Sequence, residues 1–600
     1  MSANSRPIDT PTVVRRSLFF LLLVLLTLGN LFILFKGLNS PQAMDQAQIA
    51  REIARGNGFT TKFIRPAAYY QAAQTHPNTP FSAFGDTYHS PLNPLINAAV
   101  LKAVGADKPD SWKMGENQMV FPLDRVIAAV STIFFLMAIG VSYLLISRIF
   151  DAKIAGVCAL LMLLCETLWS FSLSGLPQML LMFLFSCGAY FTYRAVEESA
   201  EGRMAMTPAI LAGVFFTLMA LTHWIAVWIA LGYIIYSAVA FRPRGIIGIS
   251  VLGMLVVAAI FPVIRNVDLS GSPLGTAFLV FYKGLGGANT EDIIMRTQDL
   301  MTQAPSLDGL ISKLLRMLLL QGTDIIPFLG GIVVAPLFFV SLLHPFRRPA
   351  IARFRWAILL MWGTGALGMA IFGVSTKDNL DPNQIHLVFA PLMTAYGLAF
   401  LSILWSRLDV VVRNPMIRNV HHYVIVLICA APFLLAMPQK IRTGFNLRDR
   451  GGVPWWPPYY APALNLGLKN WIKPDQLCFS DQPWAVAWYA DRLSIWLPTN
   501  KEGFEKLETT AGELGTKPVG ILVTPMSYGG SDIRTVSDQY GDLTPLILDG
   551  RVILAAQPNN VTLFEKAPRL QSMAKRYPYR NPLLGIDLLY YSDLPIRRSE

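Results

Sequence analysis

The sequence predicts an α-helical polytopic membrane protein of about eleven transmembrane helices, carrying a C-terminal extracytoplasmic α/β domain. Three observations predict it. Hydrophobic residues fill 53% of the 600 positions and charged residues only 15%, against about 25% in an ordinary soluble chain. The apolar residues gather in runs suited to a ~30 Å hydrocarbon layer, which needs about 20 residues per helix. The net charge of +12 follows those runs, collecting in the loops on one side, and does not mark a nucleic-acid surface.

In chain order the runs are 17–36, 126–147, 154–173, 177–193, 207–222, 224–241, 245–263, 324–343, 354–374, 384–404 and 420–437. The first is too long for the apolar part of a cleavable leader and has no clear small-residue cleavage site. The stretch 207–241 holds two spans only if the chain reverses near Thr222-His223-Trp224. With a cytoplasmic N-terminus, the inner segments are 1–16, 148–153, 194–206, 242–244, 344–355 and 405–419, holding 16 Lys/Arg against 6 Asp/Glu. That excess orients the chain. An odd number of crossings places the C-terminus outside, and the expected location is the plasma (inner) membrane. Of five cysteines, four lie in apolar runs, so neither a disulfide framework nor a zinc site is expected. No internal repeat of the kind found in transporters built from two halves is present.

Three long outer segments remain: 37–125, about 264–323, and 438–600. The chain divides into a transmembrane domain, 1–437, and an extracytoplasmic α/β domain, 438–600. In the latter, 519–523 and 551–554 read as buried strands, and 483–490 and 501–514 as helices. The aromatic stretch 453–460 has the composition of an interfacial belt, anchoring on membrane lipids. Glycines at 284–287 suggest a mobile lid in the second outer segment. Asn560-Val561-Thr562 is a formal glycosylation acceptor, meaningful only in a eukaryotic secretory pathway.

The first outer segment carries the chemistry. In 44–56, at ~100° per residue, Asp45, Gln48, Glu52 and Arg55 share one face and Ile49, Ala50, Ile53 and Ala54 the other. This predicts a short amphipathic helix lying on the outer membrane surface and stopped by Gly56, with Asp45 in the first turn, where the helix dipole favours an anion. A second apolar stretch runs from Asp86-Thr87-Tyr88-His89-Ser90-Pro91-Leu92 to Gly105 and is too short to span. Leu123-Asp124-Arg125 then opens the second span.

This order resembles the N-terminal half of the GT-C membrane glycosyltransferases, in the branch of protein O-mannosyltransferases and lipid A aminoarabinose transferases. Asp45 matches the first acid of that branch's acidic pair. His89-Ser90-Pro91-Leu92 matches its Lys-Pro-Leu segment, and Arg125 the Arg that starts the next span. Residues 384–392 are similar to its late Arg-Tyr…Pro span, and 480–484 with 488–492 to its outer C-terminal domain. The resemblance implies a GT-C-like fold and an inverting transfer of a sugar from a polyprenyl-phosphate donor to an envelope acceptor (lipid, glycan or protein) on the outer side. It implies Asp45 as general base on the acceptor hydroxyl, and Arg125, His89 and Arg65 as cations on the lipid phosphate.

The sequence departs from the pattern at three places. Gln46 stands for the second acid of the pair, Gln178 for an acid before the fourth span, and His89 for the Lys. One carboxylate makes a poor oxygen cage, so no metal cofactor is expected; Asp86 and Glu166 are the acids that could compensate. Glu166, inside an apolar run, reads either as functional or as an inter-helix hydrogen-bonding group. His386 reads as a phosphate donor or a helix contact, His223 as a turn residue, and Lys377, Asp378 and Asp381 as solvated charges. Two other readings of the whole chain are a relative that binds a lipid-linked glycan without transfer, and a secondary transporter.

Overall fold

The computed structural model describes residues 10–108, 112–115, 118–285, 290–297, 305–375, 380–408, 411, 414–449, 460–528, 532–555, 562–583 and 588–596. Helix α1 (Thr10–Leu28) runs on through a π-helical turn, Gly29–Leu34. The first outer segment folds into α2 (Pro41–Ala54), α3 (Pro66–Thr75) and α4 (Leu92–Ala103). The bundle continues with α5 (Pro122–Ile149), α6 (Ala152–Leu163), α7 (Glu166–Ser174), α8 (Gln178–Ala200), α9 (Met206–Thr222), α10 (Val227–Ala240) and α11 (Ile246–Ser270). The second outer segment supplies α12 (Glu291–Arg296) and α13 (Leu307–Thr323). Helices Pro349–Ile371, Ala390–Ser406 and Val420–Asp449 complete the bundle.

Among the described residues, seven helices are long and apolar enough to cross a membrane, or eight if α6 and α7, bent by 60°, form one span. Three of the eleven expected runs fall short of that length. Runs 207–222 and 224–241 become shorter apolar helices, with His223 at the turn between them accepting the Ile225 amide. Run 324–343 is broken into Ile325–Phe328 and Leu337–Ser341. Pro327 and Pro336 interrupt its helical hydrogen bonding, and Gly330 and Gly331 both take a φ of +77°, which no side-chain-bearing residue sustains in a helix.

Six strands form one sheet: β1 (Phe63–Ile64), β2 (Gln476–Ser480), β3 (Leu493–Trp496), β4 (Lys517–Val523), β5 (Tyr579–Leu583) and β6 (Leu588–Ser592), in the order β1-β3-β2-β4-β6-β5. The first four in that order are parallel neighbours, and β6 and β5 are antiparallel. Alternate residues point to opposite faces of a strand, and both faces are covered. Leu477, Phe479, Ile495, Ile521 and Val523 pack with Phe504 and Leu507 of helix Lys501–Glu513. Cys478, Trp496, Leu522 and Tyr590 join the core that runs into the helical bundle. The edge strand β1 comes from the first outer segment, so that loop is built into the sheet.

Residues 551–554 lie in a helix, Thr544–Ala555, not in a strand. A four-residue apolar run does not distinguish the two, and buried Leu546 and Ile547 supply the helical spacing one and two turns earlier. Residues 453–459, 286–289, 376–379 and 556–561 lie outside the described residues; they include most of the aromatic stretch and of the glycine loop, as well as Lys377, Asp378, Asn560 and Val561.

Candidate active site

Helix α2 begins at Ser40 with Pro41 at its first position, where a missing N–H costs nothing. Asp45 therefore sits in the second turn, and the first turn holds no acid. The expected surface helix is instead buried on every side: Asp45, Gln48, Arg51 and Glu52 are as enclosed as Ala43, Met44, Ala47 and Ala50. The small alanines let α4 approach one side, and the polar face meets protein charges in place of water. Polar groups sink this far only when paired.

The pairing defines the site. Asp45 Oδ2 accepts from Arg65 Nη2 at 2.6 Å, and its Oδ1 accepts from Gln48 Nε2 at 3.0 Å. Gln48 is held by Thr61 Oγ1 at 2.6 Å and by the Lys62 amide at 3.0 Å. Arg65 Nη1 lies 3.8 Å from Asp86 Oδ1, and its guanidinium is sandwiched between the Phe63 and Tyr88 rings, 4.3 and 4.4 Å from their centroids. Asp86 Oδ2 accepts from the His89 amide at 2.9 Å and lies 3.2 Å from His89 Nδ1. The Asp86 backbone carbonyl accepts from Arg265 Nη1 at 2.7 Å. Burial alone would raise the Asp86 carboxyl; the charge and hydrogen bonds of His89, with Arg65, draw it down to about 2.

His89 Nε2 stands 3.7 Å from Asp45 Oδ2 and is buried without a hydrogen-bond partner among the described residues. Asp45, Asp86 and His89 each offer one ligand atom, all within 4.8 Å of one another. Two carboxylate oxygens and an imidazole nitrogen fit a divalent cation, and Asp86 is one of the two acids the sequence offered to compensate for the missing second carboxylate.

A second polar layer covers this one. Glu291, at the first position of α12, accepts from Tyr88 Oη and, at 3.1 Å, from Gln42 Nε2 through one oxygen; its other oxygen accepts from Asn383 Nδ2 at 3.1 Å. Sequence reasoning missed Glu291, and nothing local flags it: its partners lie 249, 203 and 92 positions away.

Of the other candidates, Glu166, Gln178 and His386 bond to groups other than the four cluster residues. Arg125 follows Asp124, whose carboxylate is the buried acceptor at the head of α5: it takes Trp488 Nε1 at 2.7 Å, Tyr489 Oη at 2.9 Å and the Leu38 amide at 3.4 Å. Glu166 is part-exposed and bonded to Lys440 of helix Val420–Asp449 at 2.5 Å, the inter-helix contact that was one of its two expected readings. Gln178 donates to the Pro382 carbonyl at 2.6 Å. His386 Nε2 meets Gln321 Oε1 at 2.7 Å, and its ring stacks on Trp362. Arg65, expected on a phosphate, is here the counter-ion of two carboxylates. Gln46 accepts from Asn93 on α4 at 2.6 Å.

The comparisons with known proteins are structural. No family model and no curated protein matches the sequence. In solved structures, the chain is similar to ArnT from Cupriavidus metallidurans bound to undecaprenyl phosphate, with 16% identity, 87% of this chain and 94% of that one covered, and a TM-score of 0.47. It is similar to the Archaeoglobus fulgidus oligosaccharyltransferase tethered to an acceptor peptide, with 13% identity, 86% and 70% covered, and a TM-score of 0.46. It is also similar to the same organism's AglB in complex with an inhibitory peptide and a dolichol-phosphate, with 13% identity, 85% and 69% covered, and a TM-score of 0.47.

Proposed function

We propose that this protein is a membrane glycosyltransferase of GT-C type, moving a sugar from a polyprenyl-phosphate donor to an envelope acceptor on the outer side of the membrane. The observation that carries the reading is the gathering of Asp45, Arg65, Asp86 and His89 into one buried cluster. All four come from the segment between the first two membrane helices.

Asp45 is the base for the acceptor hydroxyl. The acceptor oxygen forms a bond to the anomeric carbon, the bond from that carbon to the phosphate oxygen breaks, and its electron pair leaves on the lipid phosphate. Arg65 connects the two halves of the reaction. A donor phosphate competes with Asp45 for the guanidinium, whose plane is set by Phe63 and Tyr88, so donor binding frees the carboxylate as it anchors the leaving group. His89 adds a second cation when protonated. Asp45, Asp86 and His89 would hold a divalent cation, which would supply charge neutralisation on the phosphate.

The test is transfer by the purified protein from supplied undecaprenyl-phosphate sugars, the lipid found in one of the similar structures. Asp45→Asn is expected to lower turnover by about 10²–10⁴-fold, the usual worth of general acid–base catalysis. Unchanged turnover would remove Asp45 from the chemistry. A wild-type protein that binds undecaprenyl phosphate yet transfers from no donor would instead be the non-transferring relative.

A further inference from the structure

Beside the acid cluster, three buried side-chain amides are each used at one end only. Gln178, at the start of α8, donates to the Pro382 carbonyl at 2.6 Å. Asn383 donates to Glu291 Oε2 at 3.1 Å, and Gln384 to the Phe328 carbonyl at 2.7 Å. A carbonyl or carboxylate only accepts, so these partners settle which end of each amide is nitrogen. The oxygens are what remain. Among the described residues, Gln178 Oε1, Asn383 Oδ1 and Gln384 Oε1 are all buried with no hydrogen-bond partner, on residues 0%, 1% and 6% exposed. Orphaned buried acceptors are uncommon in native proteins, and these three lie on residues 383 and 384 or on the side chain bonded to the Pro382 carbonyl.

The segment adjoins the site. Asn383 bonds Glu291, Glu291 bonds Tyr88, and the Tyr88 ring lies over Arg65 and edge-on to His89. The chemistry selects the ligand. Uncharged acceptors repel a phosphate and offer it no proton, whereas a sugar presents several hydroxyl donors. Glu291, already taking Tyr88, Gln42 and Asn383, fixes the segment in place.

We propose that Gln178, Asn383 and Gln384 form the subsite for the sugar ring of the donor, their amide oxygens accepting from its hydroxyls. This rests on the glycosyltransferase reading above. Ordered water at these oxygens is the competing occupant.

The test compares binding of bare undecaprenyl phosphate with binding of undecaprenyl-phosphoryl glucose, mannose and arabinose. The wild type is expected to hold at least one sugar-bearing lipid about tenfold more tightly, the worth of one to two well-made hydrogen bonds. Gln178→Met and Gln384→Met are each expected to erase that difference and leave affinity for the bare lipid within about twofold. A wild type with no sugar preference, or variants that keep it, overturns the subsite alone and leaves water as the occupant. A wild type that binds none of the lipids overturns the glycosyltransferase reading with it. The wild-type comparison needs no variant, so a substitution that fails to fold leaves the test standing.

Discussion

Asp86 illustrates how a single residue acquires a role from its neighbours. In the sequence it is an acid three positions before a histidine. In the fold it faces His89 on one side and Arg65 on the other, with its own carbonyl clamped by Arg265. Its carboxyl is lowered to about 2 against an ordinary 3.8, so the ionised form is the one that folding favours. The stability it contributes is fully present above about pH 4 and is lost as the pH falls from there through about 2. Asp86→Asn is expected to lower the melting temperature in detergent at pH 7 and to approach the wild-type value near pH 2. Melting curves from pH 2 to 8 check this, and an equal loss at both ends would remove the charge from the explanation. Gln46 teaches the converse: its oxygen accepts from Asn93, an acceptor's task on the face toward α4, so the absent second acid is replaced by packing polarity between helices.

Helix α2 is the element on which the architecture turns. Successive turns present Asp45 and Gln48 to the 61–65 segment, Arg51 and Arg55 to the sheet domain, and Glu52 to Asn57 and Lys62 of its own segment. Arg51 donates to the carbonyls of Ala487 and Trp488 at 2.7 and 2.8 Å. Asp491 receives Arg51 at 3.0 Å, Arg55 at 2.9 Å and Lys62 at 2.5 Å. Despite burial, those three cations hold its carboxyl far below the usual carboxylate range. Asp491 adopts a left-handed φ of 56°, which Asp tolerates better than most residues. Asp491→Asn would leave three clustered cations facing Glu52 alone, at a cost of about 2–4 kcal/mol for breaking a largely buried pair. The expected outcome is faster limited proteolysis of residues 460–596 with a lower melting temperature. A wild-type digestion pattern would show that the apolar contacts suffice for docking.

At the scale of the molecule, the helical bundle, the first outer segment and the sheet domain share one core through Trp484, Trp488, Tyr489 and α2. The location of the site therefore follows the sidedness of the chain. Tags at the two ends are expected to report opposite sides, the N-terminal one cytoplasmic and the C-terminal one outside. A C-terminal tag found in the cytosol would put the acid cluster in the wrong compartment and end the proposal.

Much of this organisation was legible before the structure. The long apolar helices, the helix at 41–54, strand 517–523 and helix 501–513 all follow from runs and periodicities within 10 to 30 residues, where hydropathy and backbone geometry act locally. The misreadings of charge share one cause. The polar face of α2 was assigned to water, but Arg65 pairs with Asp45 across 20 positions and Asp491 pairs with Arg55 from more than 430 positions away. The two-residue strand β1 exists only because β3 lies beside it, and Glu291 enters the site only because α12 folds against the first outer segment. Local sequence decides where the chain is helical and where it meets lipid, since those depend on each segment's own transfer free energy. Which charges are paired, and so where chemistry is placed, belongs to the tertiary structure, because a buried ion is stable only beside partners that folding brings from distant parts of the chain.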